Sequence, residues 1–411
     1  MRQSLVRLHR WCGLFLAVFL FVAGATGAVI AWDHELDEWL NPHLFTARSG
    51  TAAVPIAPLD LARRIEASDT RLRVSFVPLH VEPGHTLQLS VLPLIDPSTG
   101  QRFKLGFNEV AVDPATGVVQ GARERGALSL SRENLMSFLF KLHFSLHIPD
   151  VRGLRLGMVV MGLVSMVWIL DCFLVLWISF PSPRSWRKSF AFRIRQGGAR
   201  LNFDLHRSGG VWTWALLLML AVTSVSMNLG PVVTRPLVSL FSTLTPTPFE
   251  QRKPAAEQSP IEPVLSRDEA IVVAQAEASR RKWAAPPGGI FYTERYGLYG
   301  VAFFAAGHDH ADGGLGNPWL YIDGRTGALA GDHVPGSGSA GDIFMQAQFP
   351  LHSGRILGLP GRILISLMGL VVAMLSVTGV VIWARKRRAQ SRAAGNSVVI
   401  CPCRSWLRTR P

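Results

Sequence analysis

The chain has 411 residues, 48% of them hydrophobic and 17% charged, with a formal net charge of +14. So apolar a composition excludes an ordinary soluble globular protein and directs the reading to membrane spans. The charge does not point to nucleic acid: three segments beside apolar runs hold 18 Lys and Arg against one Asp, and the remainder is slightly acidic.

Residues 1–10 carry Arg2, Arg7 and Arg10, and an apolar run over 11–32 follows. It is long enough to cross the bilayer, whose roughly 30 Å of hydrocarbon take about 20 helical residues. No small-residue cleavage site closes it, so it reads as a retained helix and not as a signal peptide. Segment 33–150 is mixed: "APLDLARRIEAS" has helical spacing, "HTLQLSVLPL" alternates as a strand does, and "VAVDPATGVV" reads as strand, turn, strand. A second run covers 154–180, and the loop 181–207 after it sets seven bases against Asp204. The third run covers 211–229. Segment 231–355 then holds a Pro-rich linker (245–263), a helix over "LSRDEAIVVAQAEASRR" capped by Ser266 with Glu269 three residues on, strands such as "YGVAFFAA", and the turn "IDGRTG". The fourth run covers 363–383, and the tail 384–411 adds eight bases.

The positive-inside rule puts both termini and loop 181–207 in the cytoplasm and segments 33–150 and 231–355 outside. Cys12 and Cys172 fall in spans and Cys401 and Cys403 in the tail, so the external segments are expected to fold without disulfides.

The chain repeats itself. Leu8, His9, Arg10, Gly13, Leu20 and Thr26 align with Leu205, His206, Arg207, Gly210, Leu217 and Thr223. Asp113, Thr116 and Gly117 align with Asp323, Thr326 and Gly327, and His143 aligns with His352. Each half therefore reads span, external domain, span. The Asp-x-x-Thr-Gly motifs recur, yet turn chemistry explains them fully.

These elements resemble the PepSY-associated transmembrane family, which includes iron-regulated membrane proteins and ferrisiderophore reductases. The resemblance rests on "LHRWCG" opening the first span, "VDPATG" and "IDGRTG" in the external segments, and "LHSGRILGLPGRILI" entering the last span, and it covers about residues 4–388. It implies a four-helix membrane bundle with two periplasmic α+β PepSY-like domains, arranged as an internal duplication. It also implies electron transfer through haem to ferric iron.

The histidines make their own case. His9 and His206 lie at the cytoplasmic ends of spans one and three, and His143, His147 and His352 at the external ends of spans two and four. Each membrane face thus receives histidines from two helices, as iron held by two imidazoles requires. Two haems are expected, one on His9 and His206 and one on His352 and His143. His147 shares a helix face with His143 and is the alternative, although the repeat pairs His143 with His352. Two haems a turn inside the ends of a roughly 30 Å span would lie close enough for tunnelling. Arg10 and Arg207 could neutralise propionates or simply anchor the helices. The external loop 307–318, with His308 and His310, is a weak candidate for contacting a metal or chelate.

Absences narrow the reading. No dinucleotide, Walker or metalloprotease motif occurs, so electrons are expected from a separate cytoplasmic or membrane donor. No Cys-x-x-Cys-His occurs, so the haem is expected to be b-type. The expected function is a bacterial inner-membrane ferric reductase acting on a ferrisiderophore or another ferric chelate, without nucleic acid as a partner. The alternatives are a PepSY membrane anchor that binds peptides or restrains a protease, and an iron or chelate transporter. The transporter fits less well, because four helices with little buried acid besides Asp171 leave small scope for alternating access.

Overall fold

A computed structural model describes residues 2–51, 54–151, 153–180, 182–308 and 313–397. His310, Cys401, Cys403, Arg404, Arg408 and Arg410 lie outside the described residues. The elements run α1 (Arg2–Ile30), α2 (Asp33–Leu40), α3 (Pro42–Phe45), α4 (Pro58–Ser68), β1 (Leu72–Pro78), β2 (Leu87–Pro93), β3 (Glu109–Val112), β4 (Val119–Arg123), α5 (Leu135–Ser145) and α6 (Leu156–Ser179). They continue with α7 (Gly198–Trp212), α8 (Trp214–Leu229), α9 (Arg235–Ser239), α10 (Arg267–Arg280), β5 (Pro287–Thr293), β6 (Leu298–Phe303), β7 (Trp319–Asp323), β8 (Leu329–His333), α11 (Ala340–Ser353) and α12 (Leu359–Ser397).

Among the described residues, four helices are long and apolar enough to cross a membrane: Arg2–Ile30, Leu156–Ser179, Trp214–Ser239 and Leu359–Arg392. The chain is a multi-pass membrane protein. The helices outrun the apolar runs in two places that matter. α1 is helical from Arg2, so His9 is on a helix, two residues ahead of the apolar run that opens at Trp11. The third span does not stop at Leu229, where the apolar run was expected to end; a π-turn over Gly230–Thr234 carries it into α9. Pro231 and Pro236 are the second residues of those two segments.

The chain divides into two compact units, one from the described parts of Met1–Ala25, Leu163–Ala221 and Met368–Pro411, the other from Thr26–Gly162 and Val222–Leu367. In the first, Leu8, Trp11, Phe15 and Val18 of α1 form an exposed apolar stripe at helical spacing, the face that lipid would cover, while Leu16 and Ala17 are buried. Gly24 lets α1 approach α12 closely: a Cβ there would lie 2.6 Å from the Gly369 carbonyl oxygen.

The second unit is built on one antiparallel sheet of eight strands in the order β4-β3-β2-β1-β5-β6-β7-β8. Segments 33–150 and 231–355, expected as two domains, supply four strands each. They join where Phe76, Val77 and Pro78 of β1 pair with Phe291, Ile290 and Gly289 of β5. The joint gives each half-sheet a partner for an edge that would otherwise be open. α4 and α10 cover one face. Leu61, Ala62 and Ile65 from α4 and Ala270, Ala274 and Ala278 from α10 bury against Val74, Leu89, Val110, Ile290, Val301 and Leu320. The alternation in β2 follows, with Leu87, Leu89 and Val91 inward. Ser266 and Glu269 form the expected capping box on α10. On the sheet's other side, buried Arg123 binds both carboxylate oxygens of Asp37 (2.9 and 2.7 Å) as well as Glu109, fastening α2 to β3 and β4.

The Asp-x-x-Thr-Gly motifs are turns between β3 and β4 and between β7 and β8. The Asp113 carboxylate accepts from the Ala115 and Thr116 N–H groups, and Asp323 does the same with Arg325 and Thr326. Gly117 and Gly327 follow at φ +75° and +74°. Burial opposes the Asp323 charge, but the Thr326 and Arg325 N–H groups and the Arg252 guanidinium hold its carboxyl down to about 2. Because that lies below the ordinary value of about 3.9, the turn's contribution is complete above pH 4 and fades as pH falls toward 2. Asp323→Asn should therefore cost about 2 kcal/mol at pH 7 and progressively less below pH 4, a difference that melting curves at the two pH values would reveal.

Candidate functional site

Within the first unit, α1 brings His9 to His206 of α7, with ring centroids 6.2 Å apart and planes 40° from parallel. His9 Nδ1 lies 2.8 Å from Asp171 Oδ1 on α6. His206 Nδ1 donates to the Leu375 carbonyl (3.0 Å) and to Thr378 Oγ1 (3.2 Å) on α12. That hydroxyl in turn donates to the Met374 carbonyl (2.8 Å). The His206 ring lies against the α12 backbone at Gly379, where a Cβ would come within 2.9 Å of its Cε1.

Within the second unit, His143 of α5 meets His352 of α11, centroids 6.0 Å apart and planes at 61°. His143 Nδ1 lies 3.1 Å from Thr26 Oγ1 on α1, and His352 Nδ1 lies 2.9 Å from Thr223 Oγ1 on α8. A Cβ on Gly27 would come within 3.0 Å of His143 Cε1. Thr26-Gly27 and Thr378-Gly379 thus do the same work, the hydroxyl holding a ring nitrogen while the glycine admits the ring. Burial, reinforced by the neighbouring His143, pushes His352 down to about 3, and burial beside His9 pushes His206 down to about 4. Both stand ahead of the apolar spans and are neutral at physiological pH, the form in which imidazole binds a metal.

The donor sets can be tested against a bis-imidazole iron. A metal–imidazole bond of about 2 Å, plus roughly 1.2 Å from nitrogen to ring centre, sets two rings on opposite sides of one ion about 6 Å apart. Both pairs have that separation. With Nδ1 engaged, Nε2 is the nitrogen that can serve as ligand. Among the described residues no group of three or more His, Cys, Asp and Glu side chains could hold a metal. Two imidazoles alone do not suit a bare ion such as zinc, which takes four protein or water ligands. They do suit haem, whose macrocycle supplies the remaining four.

A family description, the PepSY-associated TM region, matches residues 6–386 and takes in all four of these histidines. The chain belongs to this family. No curated protein matches it.

The other candidates of this PepSY-associated TM protein lie elsewhere or do other work. His147 is not brought to His352. Its backbone is left-handed at φ +54°, its ring stacks on Phe138 at 4.4 Å, and its Nε2 donates to the Phe138 carbonyl (2.9 Å). The helix stops between the two histidines, with Leu146 left-handed as its cap, so the four-residue spacing does not put them on one face. Arg207 reaches the Ser179 carbonyl (3.2 Å) and Ser189 Oγ (2.7 Å), binding the loop after α6. Arg10 is half-buried next to His9. His308 is exposed, with Nδ1 3.2 Å from the Ala306 carbonyl, and its companion His310 lies outside the described residues. Sequence reasoning gave no role to Asp171, Thr378 or Gly379. It aligned Thr26 with Thr223 without seeing that each holds a histidine. The signal that could have found them is a polar side chain inside each of the four spans.

Proposed function

We propose that this protein is a haem b protein of the bacterial inner membrane that transfers electrons from a cytoplasmic or membrane donor to a ferric chelate outside, a ferrisiderophore being the chemical class that fits. The single observation that carries the reading is the twofold occurrence of a histidine pair at the separation of a shared iron. The basic segments support a cytoplasmic position for both termini and loop 181–207. The shared order of helix and four strands in each half supports descent from a duplicated unit.

His9 and His206 would hold one haem, and His143 and His352 the other. When bound, such six-coordinate haem supplies one-electron Fe(III)/Fe(II) exchange with no open position for oxygen. The chain's own residues do the rest. Thr26, Thr223, Thr378 and Asp171 fix the rings through Nδ1, and burial keeps His206 and His352 neutral. In the net reaction the donor loses one electron and the chelated Fe(III) gains it. Hard oxygen donors hold Fe(II) far more weakly than Fe(III), so the metal is released.

The test is a dithionite-reduced minus oxidised spectrum of the protein purified from haem-replete cells, with a pyridine haemochrome count. Ferric trihydroxamate is then added to the reduced protein beside a chromogenic Fe(II) trap. Two b-type haems per chain, reoxidised as Fe(II) appears, are expected. Folded protein without haem would sink the reading. Two haems indifferent to the chelate would sink its acceptor.

A further inference from the structure

Three of the four paired histidines rest on neutral acceptors: His206 on a carbonyl and a hydroxyl, His143 and His352 on hydroxyls. Among the contacts described for these four rings, the one to a carboxylate is at His9, at 2.8 Å. Asp171 is 8% exposed and lies inside the span Leu156–Ser179. Among the described residues its ion-pair partner is His9, and no Lys or Arg pairs with it. A carboxylate inside a span is expensive, and such residues mark functional positions by default. A hydroxyl would have held the ring equally well, as Thr223 holds His352. The carboxylate therefore adds something other than orientation.

What it adds is electron density. A carboxylate that accepts from Nδ1–H makes Nε2 a stronger donor. Its negative charge, in a medium less polar than water, also favours the more positive metal state. Both effects stabilise ferric over ferrous iron and lower the reduction potential, one of the levers a protein has over haem. Arg10 and Arg207 carry the opposite charge at this end, but Arg207 turns its guanidinium to Ser179 and Ser189, and among the described residues neither arginine pairs with Asp171.

Building on the haem reading above, we propose that Asp171 is a positioning residue that makes the His9/His206 site the lower-potential of the two. The driving force for an electron then points from that pair to the His143/His352 pair, and the direction of transfer is written into one side chain.

The test is a spectroelectrochemical titration at one fixed pH of the parent, Asp171→Asn and Asp171→Thr proteins in nanodiscs, with His352→Ala protein to assign the components. A tenfold loss of ferric preference corresponds to about 59 mV for one electron. The lower midpoint is expected to rise by at least that much in both variants, with the upper one unmoved and the low-spin ferric EPR signal of the shifted haem changed. Thr223→Asp supplies the converse and does not depend on how the Asp171 variants fold: it should lower the other midpoint. Two bound haems with neither midpoint altered would overturn the proposal and leave the haem reading standing. So would a shift confined to the component missing from His352→Ala protein. Protein that binds no haem would overturn both.

Discussion

His352→Ala protein is expected to carry one haem where the parent carries two, while His147→Ala protein keeps both. His147 was the rival of His143 on sequence grounds, and the structure separates those two by what their rings touch. His352 faces His143 at 6.0 Å, and its Nδ1 is held by Thr223, so the substitution removes one of two imidazoles from a shared site. His147 spends its Nε2 on the Phe138 carbonyl, so its loss should cost the ordinary worth of one hydrogen bond, about 1 kcal/mol, and no cofactor. His206→Ala should remove the other haem. Electron transfer to the chelate should fall at least a hundredfold in either single variant, because each removes one station. Added imidazole, small enough to enter the space of the lost ring, should restore part of the bis-imidazole spectrum in both. If His147→Ala removes a haem and His143→Ala does not, the pairing drawn from α5 is wrong.

How much of this was legible in the sequence differs by element. The four spans were, because a stretch of about 20 apolar residues has one solution in lipid. The approach of His9 to His206 was as well, because Leu-His-Arg occurs twice at the mouth of a span. The single sheet was not. Phe76 and Phe291 pair across the joint between halves, and neither strand edge carries any mark of which edge it will meet. The anchors of the rings were also hidden. Asp171 stood out in the sequence as an acid in a span, but hydropathy does not say which way an acid faces. Thr26 and Thr223 aligned, but a threonine in a helix ordinarily bonds its own backbone. His147 misled for a related reason. Four-residue spacing implies one face only while the helix lasts, and this one ends at Ser145.

Gly379→Val and Gly27→Val are each expected to cost one haem, and Gly13→Ala none. These glycines lie along the spans, where glycine ordinarily serves close helix packing. Several here do just that, as when a Cβ on Gly162 would strike the Leu229 side chain at 2.4 Å. Gly27 and Gly379 differ because the atom they make room for is Cε1 of a paired histidine, at 3.0 and 2.9 Å. Cε1 lies between the two ring nitrogens, so any Cβ that displaces it must turn the ring about the bond to Thr26 or Thr378 and swing Nε2 away from its partner. Alanine should already perturb the low-spin spectrum, and valine, whose branched side chain cannot retract, should abolish binding at that site. Gly13 has nothing within 4 Å, so alanine there should leave the haem count unchanged and add up to about 1 kcal/mol of helix stability. The spectrum and the melting temperature of each variant, measured together, separate the two uses of glycine. Loss of haem with the melting temperature kept in apo-protein marks a glycine that serves the histidine. Loss of both marks one that serves the packing, and that result at Gly379 would mean its contact with His206 is incidental.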